Sequence, residues 1–126
     1  DEAARIDAAS FDVALVSGRV LEAEGKAREA IAAYEKAIAI NGANPRPRRL
    51  LVELAIASQR FAVAETQLTE LVRMGYQPAR SHAALGRLAQ MRGATAEAAQ
   101  HYRAALRLDP NLAMAQQGLR SLGGNQ

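Results

Sequence analysis

At 126 residues, with 49% hydrophobic and 23% charged side chains, the chain suffices for one folded domain with a modest core and is not composed like a disordered tail. It has no cysteine, which excludes a disulfide framework, a thiolate zinc site and a thiol nucleophile. Alanine supplies 29 residues and aromatics only 4%, too few covering side chains for a pleated sheet, so the class reads all-α; arginine makes up 14 of the 16 basic residues behind the net charge of +3, a bias of GC-rich coding rather than of selection for a polyanion.

Taken in chain order, residues 3–7 share the pattern of residues 105–109. The segment 1–10 is therefore expected to be the last turn of a helix from an earlier repeat, in a piece of a longer protein that opens on Asp1. Helical periodicity then recurs in pairs: Phe11–Glu24 with Ala27–Ile40, Pro45–Ser58 with Phe61–Met74, and Ala79–Arg92 with Thr95–Leu108. Pro45 and Pro78 begin or precede first helices, where a missing amide costs little. Thr95 is expected to cap its helix, and Gly25, Gly42, Gly75 and Gly93 to close helices in the left-handed conformation. Gly18 and Gly86 fall inside helices, at about 1 kcal/mol each relative to alanine. A partner helix is expected to cross closely there, against Ala30 and Ala98. Residues 111–122 form a last amphipathic helix with Leu112, Ala115, Leu119 and Leu122, backed by Gln116, Gln117 and Arg120, which suits it to cap the array before a tail at 123–126.

The pairs repeat every 34 residues, over 11–44, 45–78 and 79–112. Ala30, Ala64 and Ala98 recur at that interval, as do Tyr34, Leu68 and Tyr102, then Ala37, Leu71 and Ala105, and Ile40, Met74 and Leu108. The third unit carries Leu85-Gly86, Ala98-x3-Tyr102, Ala105 and Asp109-Pro110; the first carries Gly18, Leu21, Ala30-x3-Tyr34 and Ala37; the second is weakest, with Val52 for the small residue and Gly75-Tyr76 for the proline turn. This pattern resembles the tetratricopeptide repeat (TPR) family, whose motif runs W-x2-L-G-x2-Y, A-x3-F, P. The early tryptophan site is Ala14, Arg48 and His82 here. The resemblance implies an all-α superhelix of three helix-turn-helix repeats with a C-terminal capping helix.

It also implies a concave groove lined by the first helices. Side chains 3, 4, 7 and 10 apart share a helix face, which gives Asp12, Leu15, Arg19 and Glu22 in the first unit, Arg46, Arg49, Glu53 and Ile56 in the second, and Arg80, Ala83, Arg87, Gln90 and Met91 in the third. Arginine forks take carboxylates bidentately, so the expected ligand is a protein or peptide segment with acidic groups or a free carboxylate, anchored on Leu15, Ile56, Ala83 and Met91. A family subclass grips chaperone C-termini through a two-carboxylate clamp of lysine, asparagine and arginine. The matching sites are Leu15, Arg19, Glu53, Ala83 and Arg87; only Arg87 fits, Glu53 would repel the ligand, and that clamp is rejected.

Catalysis is not expected. His82 and His101 lie 19 residues apart, His82 reading as a half-buried packing residue and His101 as solvated, and Ser10, Ser17, Ser58, Ser81 and Ser121 have no histidine–carboxylate arrangement nearby. No cofactor or metal is implied, since Gly118–Gly124 lacks the adjoining lysine and hydroxyl pair of a phosphate loop. Residues 1–44 hold five basic against eight acidic side chains, and 45–126 eleven against five, with Arg46, Arg48 and Arg49 the densest cluster. Without interleaved aromatics, that cluster is not expected to bind nucleic acid. Apolar runs fall far short of the roughly 20 residues needed for membrane insertion. The expected function is a non-enzymatic binding scaffold in a larger bacterial assembly or export-related protein. The alternatives are a structural spacer or oligomerisation module, with Phe61 or Tyr76 in a homo-oligomer contact, and the regulatory domain of an upstream enzyme.

Overall fold

The computed structural model describes residues 1–123, in which helices alternate with short turns and no strand occurs. In chain order these are α1 (Glu2–Ala23), α2 (Ala27–Ile40), α3 (Pro45–Ala57), α4 (Phe61–Arg73), α5 (Pro78–Met91), α6 (Thr95–Leu108) and α7 (Ala113–Gly123). The tail from 124 onward lies outside the described residues. The chain divides into two compact units, one ending at Gln67 and one starting at Leu68.

One expected break is missing. α1 runs unbroken for 22 residues through Phe11, so residues 2–10 are its opening turns rather than a separate helix end. Asp1 caps it, accepting the Ala4 N–H on its side chain at 2.8 Å. Where Asp109 is followed by proline, Asp7 is followed by two alanines, and nothing stops the helix. The caps hold two smaller corrections. Ala94, not Thr95, is the N-cap of α6, without a side-chain hydrogen bond. Gly42 is not left-handed, because α2 ends through an extended Asn41 instead.

In the first unit, α1 packs on α2 and α2 on α3. Leu15, Ile31, Tyr34, Leu50, Leu51 and Leu54 close around Ala30, and Phe11, Ala14 and Ala37 form a smaller patch. In the second unit, α5 packs on α6 and α7 packs on both. One cluster of its core is Tyr102 among five buried alanines, Ala83, Ala89, Ala98, Ala105 and Ala115, and Leu68, Leu71, Leu85 and Leu88 are buried as well. Small side chains let helix axes approach closely, so the alanine excess is placed where helices meet. First helices end alike: the amides of Lys26, Arg60 and Ala94 reach back to the carbonyls of Leu21, Ala55 and Ala89 at 2.7–2.9 Å. The preceding residue is left-handed each time, Gly25, Gln59 and Gly93, one period apart.

Candidate functional site

The site is built from a unit that the first and third repeats share. Tyr34 on α2 is fully buried, and its ring lies against Gly18 of α1, where any Cβ would overlap it. Tyr102 does the same beneath Gly86, where a Cβ would sit 2.8 Å from its Cε1. The close approach that the interior glycines imply is thus to tyrosine rings, not to the methyl groups of Ala30 and Ala98. Each hydroxyl emerges on the first helix: Tyr34 donates to Glu22 Oε1 at 2.7 Å, and Tyr102 to Gln90 Oε1 at 2.8 Å. Burial and then the Glu22 carboxylate push the Tyr34 phenol well above its ordinary range, and burial raises that of Tyr102. Arg19, beside Gly18, opposes the shift at Tyr34, as Arg87, beside Gly86, does at Tyr102. The middle repeat abandons the arrangement as a set, with Val52, Glu53, Ile56 and Leu68 at the equivalent positions.

Side chains of the expected stripe fall into three groups. Asp12, Arg19, Glu22, Arg46, Glu53, Ile56, Arg80, Arg87 and Met91 are exposed, and Arg49 and Gln90 are half-buried. Leu15 and Ala83 are not presented at all. They are 6% and 0% exposed and belong to the two cores, because each lies on the flank of its helix that faces the following one. In the first unit, Arg19, Glu22 and Glu53 come together with Ala23 and Leu50 around an open cleft of about 330 Å³. Asp12 stands apart, in a wider cleft of about 430 Å³ with Asp7, Phe11, Ile40, Asn41 and Asn44. Glu53 is held by Arg49 at 3.3 Å and Glu22 by Tyr34. Among the described residues Arg19, Arg46, Arg80 and Arg87 have no ion pair. Sequence reasoning missed the two supporting tyrosines, although their 68-residue separation from one another matches that of Gly18 and Gly86.

The basic cluster at the start of α3 is not a free patch. Arg48 is half-buried and donates to Gln67 Oε1 at 2.8 Å, and Arg49 is engaged by Glu53, which leaves Arg46 in solvent. Among the described residues no three metal-ligating side chains gather, and no helix is long and apolar enough to cross a membrane.

His101 is not solvated as expected. It is half-buried, with its Nδ1 3.2 Å from that of His82 and the ring centres 5.5 Å apart at a tilt of 35°, because the 19-residue separation spans the α5–α6 turn and brings the two rings together. Burial first, then His101 and Arg107, lower the His82 pKa. An unfolded chain therefore binds a proton that the fold resists. Stability is full above the ordinary histidine value of about 6.5 and is lost as pH falls below it. Urea midpoints should decline from pH 7 to pH 5, and His82→Gln should flatten that decline; an unchanged slope would refute the assignment.

The family profile described as tetratricopeptide repeat matches residues 21–88, and a second profile of the same description matches 79–112. The chain belongs to the tetratricopeptide repeat family. Among solved structures, the first TPR of Spaghetti (RPAP3), bound to the HSP90 peptide SRMEEVD, superposes with a TM-score of 0.73 at 24% identity over 92% of each chain. The Arabidopsis OM64 TPR domain gives 0.76 at 21% identity, covering 95% of this chain and 99% of that one. The second TPR domain of human RPAP3, in complex with the HSP70 peptide SGPTIEEVD, gives 0.73 at 24% over 94% and 97%. These likenesses show a TPR fold. No curated protein matches.

Proposed function

We propose that this TPR chain is a non-enzymatic protein-interaction module. Each unit offers a first-helix stripe for acidic side chains or a free carboxylate of a partner: Arg19, Glu22, Arg46, Arg49, Glu53 and Ile56 in the first unit, and Arg80, Arg87, Gln90 and Met91 in the second. The observation that carries the reading is the equivalence of Arg19 and Arg87. Both are exposed and without an ion pair among the described residues, and each is fixed beside a glycine seated on a buried tyrosine. Each guanidinium is free to turn toward a ligand, and its planar fork suits a bidentate carboxylate contact. Family membership supports the same reading, and the RPAP3 neighbours carry chaperone peptides ending in EEVD. The grip differs here, since Leu15 and Ala83 are closed into the cores and Glu53 opposes an anion. From the resemblance and the arginine- and alanine-rich composition we infer a larger bacterial assembly or export-related setting.

The test is selection from a random peptide library with free C-termini, followed by anisotropy titration of the enriched sequences. Acidic peptides should dominate, and Arg19→Glu, Arg49→Glu and Arg87→Glu together should weaken them about thirty-fold, or about 2 kcal/mol, with the circular dichroism unchanged. Equal binding by the triple variant overturns the stripe. An empty selection favours a spacer.

A further inference from the structure

We propose that α1 pairs antiparallel with α1 of a second copy of this chain. Ile6, Val13, Val16 and Val20 are 56%, 65%, 59% and 51% exposed, an unusual state for four aliphatic side chains on one helix. With the exposed Ala9 and Ala23 they step along α1 by three and four residues alternately, the spacing of a two-helix seam. That seam lies on the side of α1 opposite Phe11, Ala14, Leu15 and Gly18, which face the unit's own core. The helix is thus apolar on two opposite faces, and only one is covered by the described residues.

Size and charge select the occupant. If two copies meet about a two-fold axis beside residues 14 and 15, Ile6 faces Ala23 of the second copy, Ala9 faces Val20, and Val13 faces Val16. A larger side chain then meets a smaller one at the outer layers, which fills the seam evenly. A parallel pair would stack Ala9 on Ala9 and Ala23 on Ala23, leaving gaps. Asp12 and Arg19, seven residues apart on one flank of the seam, are exposed and form no ion pair within the described chain. In the antiparallel pair, Asp12 of each copy lies beside Arg19 of the other, twice by symmetry, and Ser10 and Ser17 leave the opposite flank uncharged. The parallel alternative sets Asp12 beside Ser17 and Arg19 beside Glu24. One helix pair is a small interface, so dissociation is expected at micromolar concentrations.

Sedimentation equilibrium of the chain without any peptide tests this separately from the binding function. A mass twice 13.5 kDa is expected at tens of micromolar, falling to the monomer on dilution. Val13→Glu with Val16→Glu should give a monomer at every concentration, with helical circular dichroism retained because both positions face solvent. Asp12→Arg alone and Arg19→Asp alone should each weaken the dimer about tenfold, and the two together should restore it. A monomeric native chain, or a dimer indifferent to V13E/V16E, overturns the seam; a double swap weaker than either single change overturns the antiparallel direction.

Discussion

Gly18→Val is expected to destabilise the first unit by about 3 kcal/mol, at the severe end for an overpacked core. The added side chain would occupy the volume of the Tyr34 ring, which is 0% exposed and anchored at its far end by the 2.7 Å hydrogen bond to Glu22. The ring cannot turn aside without leaving that hydroxyl unpaired, and an unsatisfied polar group costs about 1–3 kcal/mol in its own right. The gain in helix propensity over glycine, about 1 kcal/mol or less, is too small to compensate. The middle repeat indicates the remedy, because Val52, Ile56 and Leu68 occupy the positions equivalent to Gly18, Glu22 and Tyr34. Installing that set in the first repeat, as Gly18→Val, Glu22→Ile and Tyr34→Leu together, should recover more than half of the loss. Gly25→Ala is the control. A Cβ there meets nothing within 4 Å, and only the left-handed φ of +78° resists it, so a cost of about 1 kcal/mol is expected. Urea midpoints of the variants decide the matter, and a G18V protein as stable as the native chain would refute the account.

This linked substitution shows what the sequence could and could not disclose. The 34-residue recurrence located the helix pairs because each pair must bury its stripe against the next, so spacing is repeated wherever packing is. The start of α1 was not legible, since residues 3–7 resemble a helix end while alanine on either side gives the helix no reason to stop. That Arg19, Arg46, Arg80 and Arg87 reach the surface was legible from helical spacing, once the family resemblance had singled out the first helices. Leu15 and Ala83 were misplaced because a stripe and a core share a border, and a side chain on that border is claimed by whichever neighbouring helix packs on it. The Tyr34 and Tyr102 supports depend on contacts between helices, which periodicity reports as apolar positions without saying what their polar ends reach. His101 paired with His82 for a similar reason: the loop between α5 and α6, not the separation in sequence, decides which residues meet.

Tyr102→Ala is expected to cost the second unit about 4 kcal/mol, within the range for deleting a buried aromatic, and to release α7 before α5 and α6. The ring is 2% exposed and wedged between two glycines, Gly86 of α5 and Gly118 of α7, so truncation removes contacts from three helices at once. α5 and α6 keep Ala83, Ala89, Ala98 and Ala105 between them. α7 keeps Ala115 in the core, Leu119 and Leu122 at its margin with Leu112 just before the helix, and the bond from Gln90 Nε2 to Ser121 Oγ at 3.1 Å. That bond weakens as well, because Gln90 is oriented by the Tyr102 hydroxyl that the change deletes. A terminal helix with one neighbouring layer has the least to hold it. Amide exchange should therefore accelerate most in Ala115–Leu122, while α5 and α6 remain slower. Tyr102→Phe keeps the wedge and loses only the hydroxyl, so about 1 kcal/mol and little change in α7 exchange are expected. Should the alanine variant lose protection uniformly across the second unit, the wedge would not be what holds α7 in place.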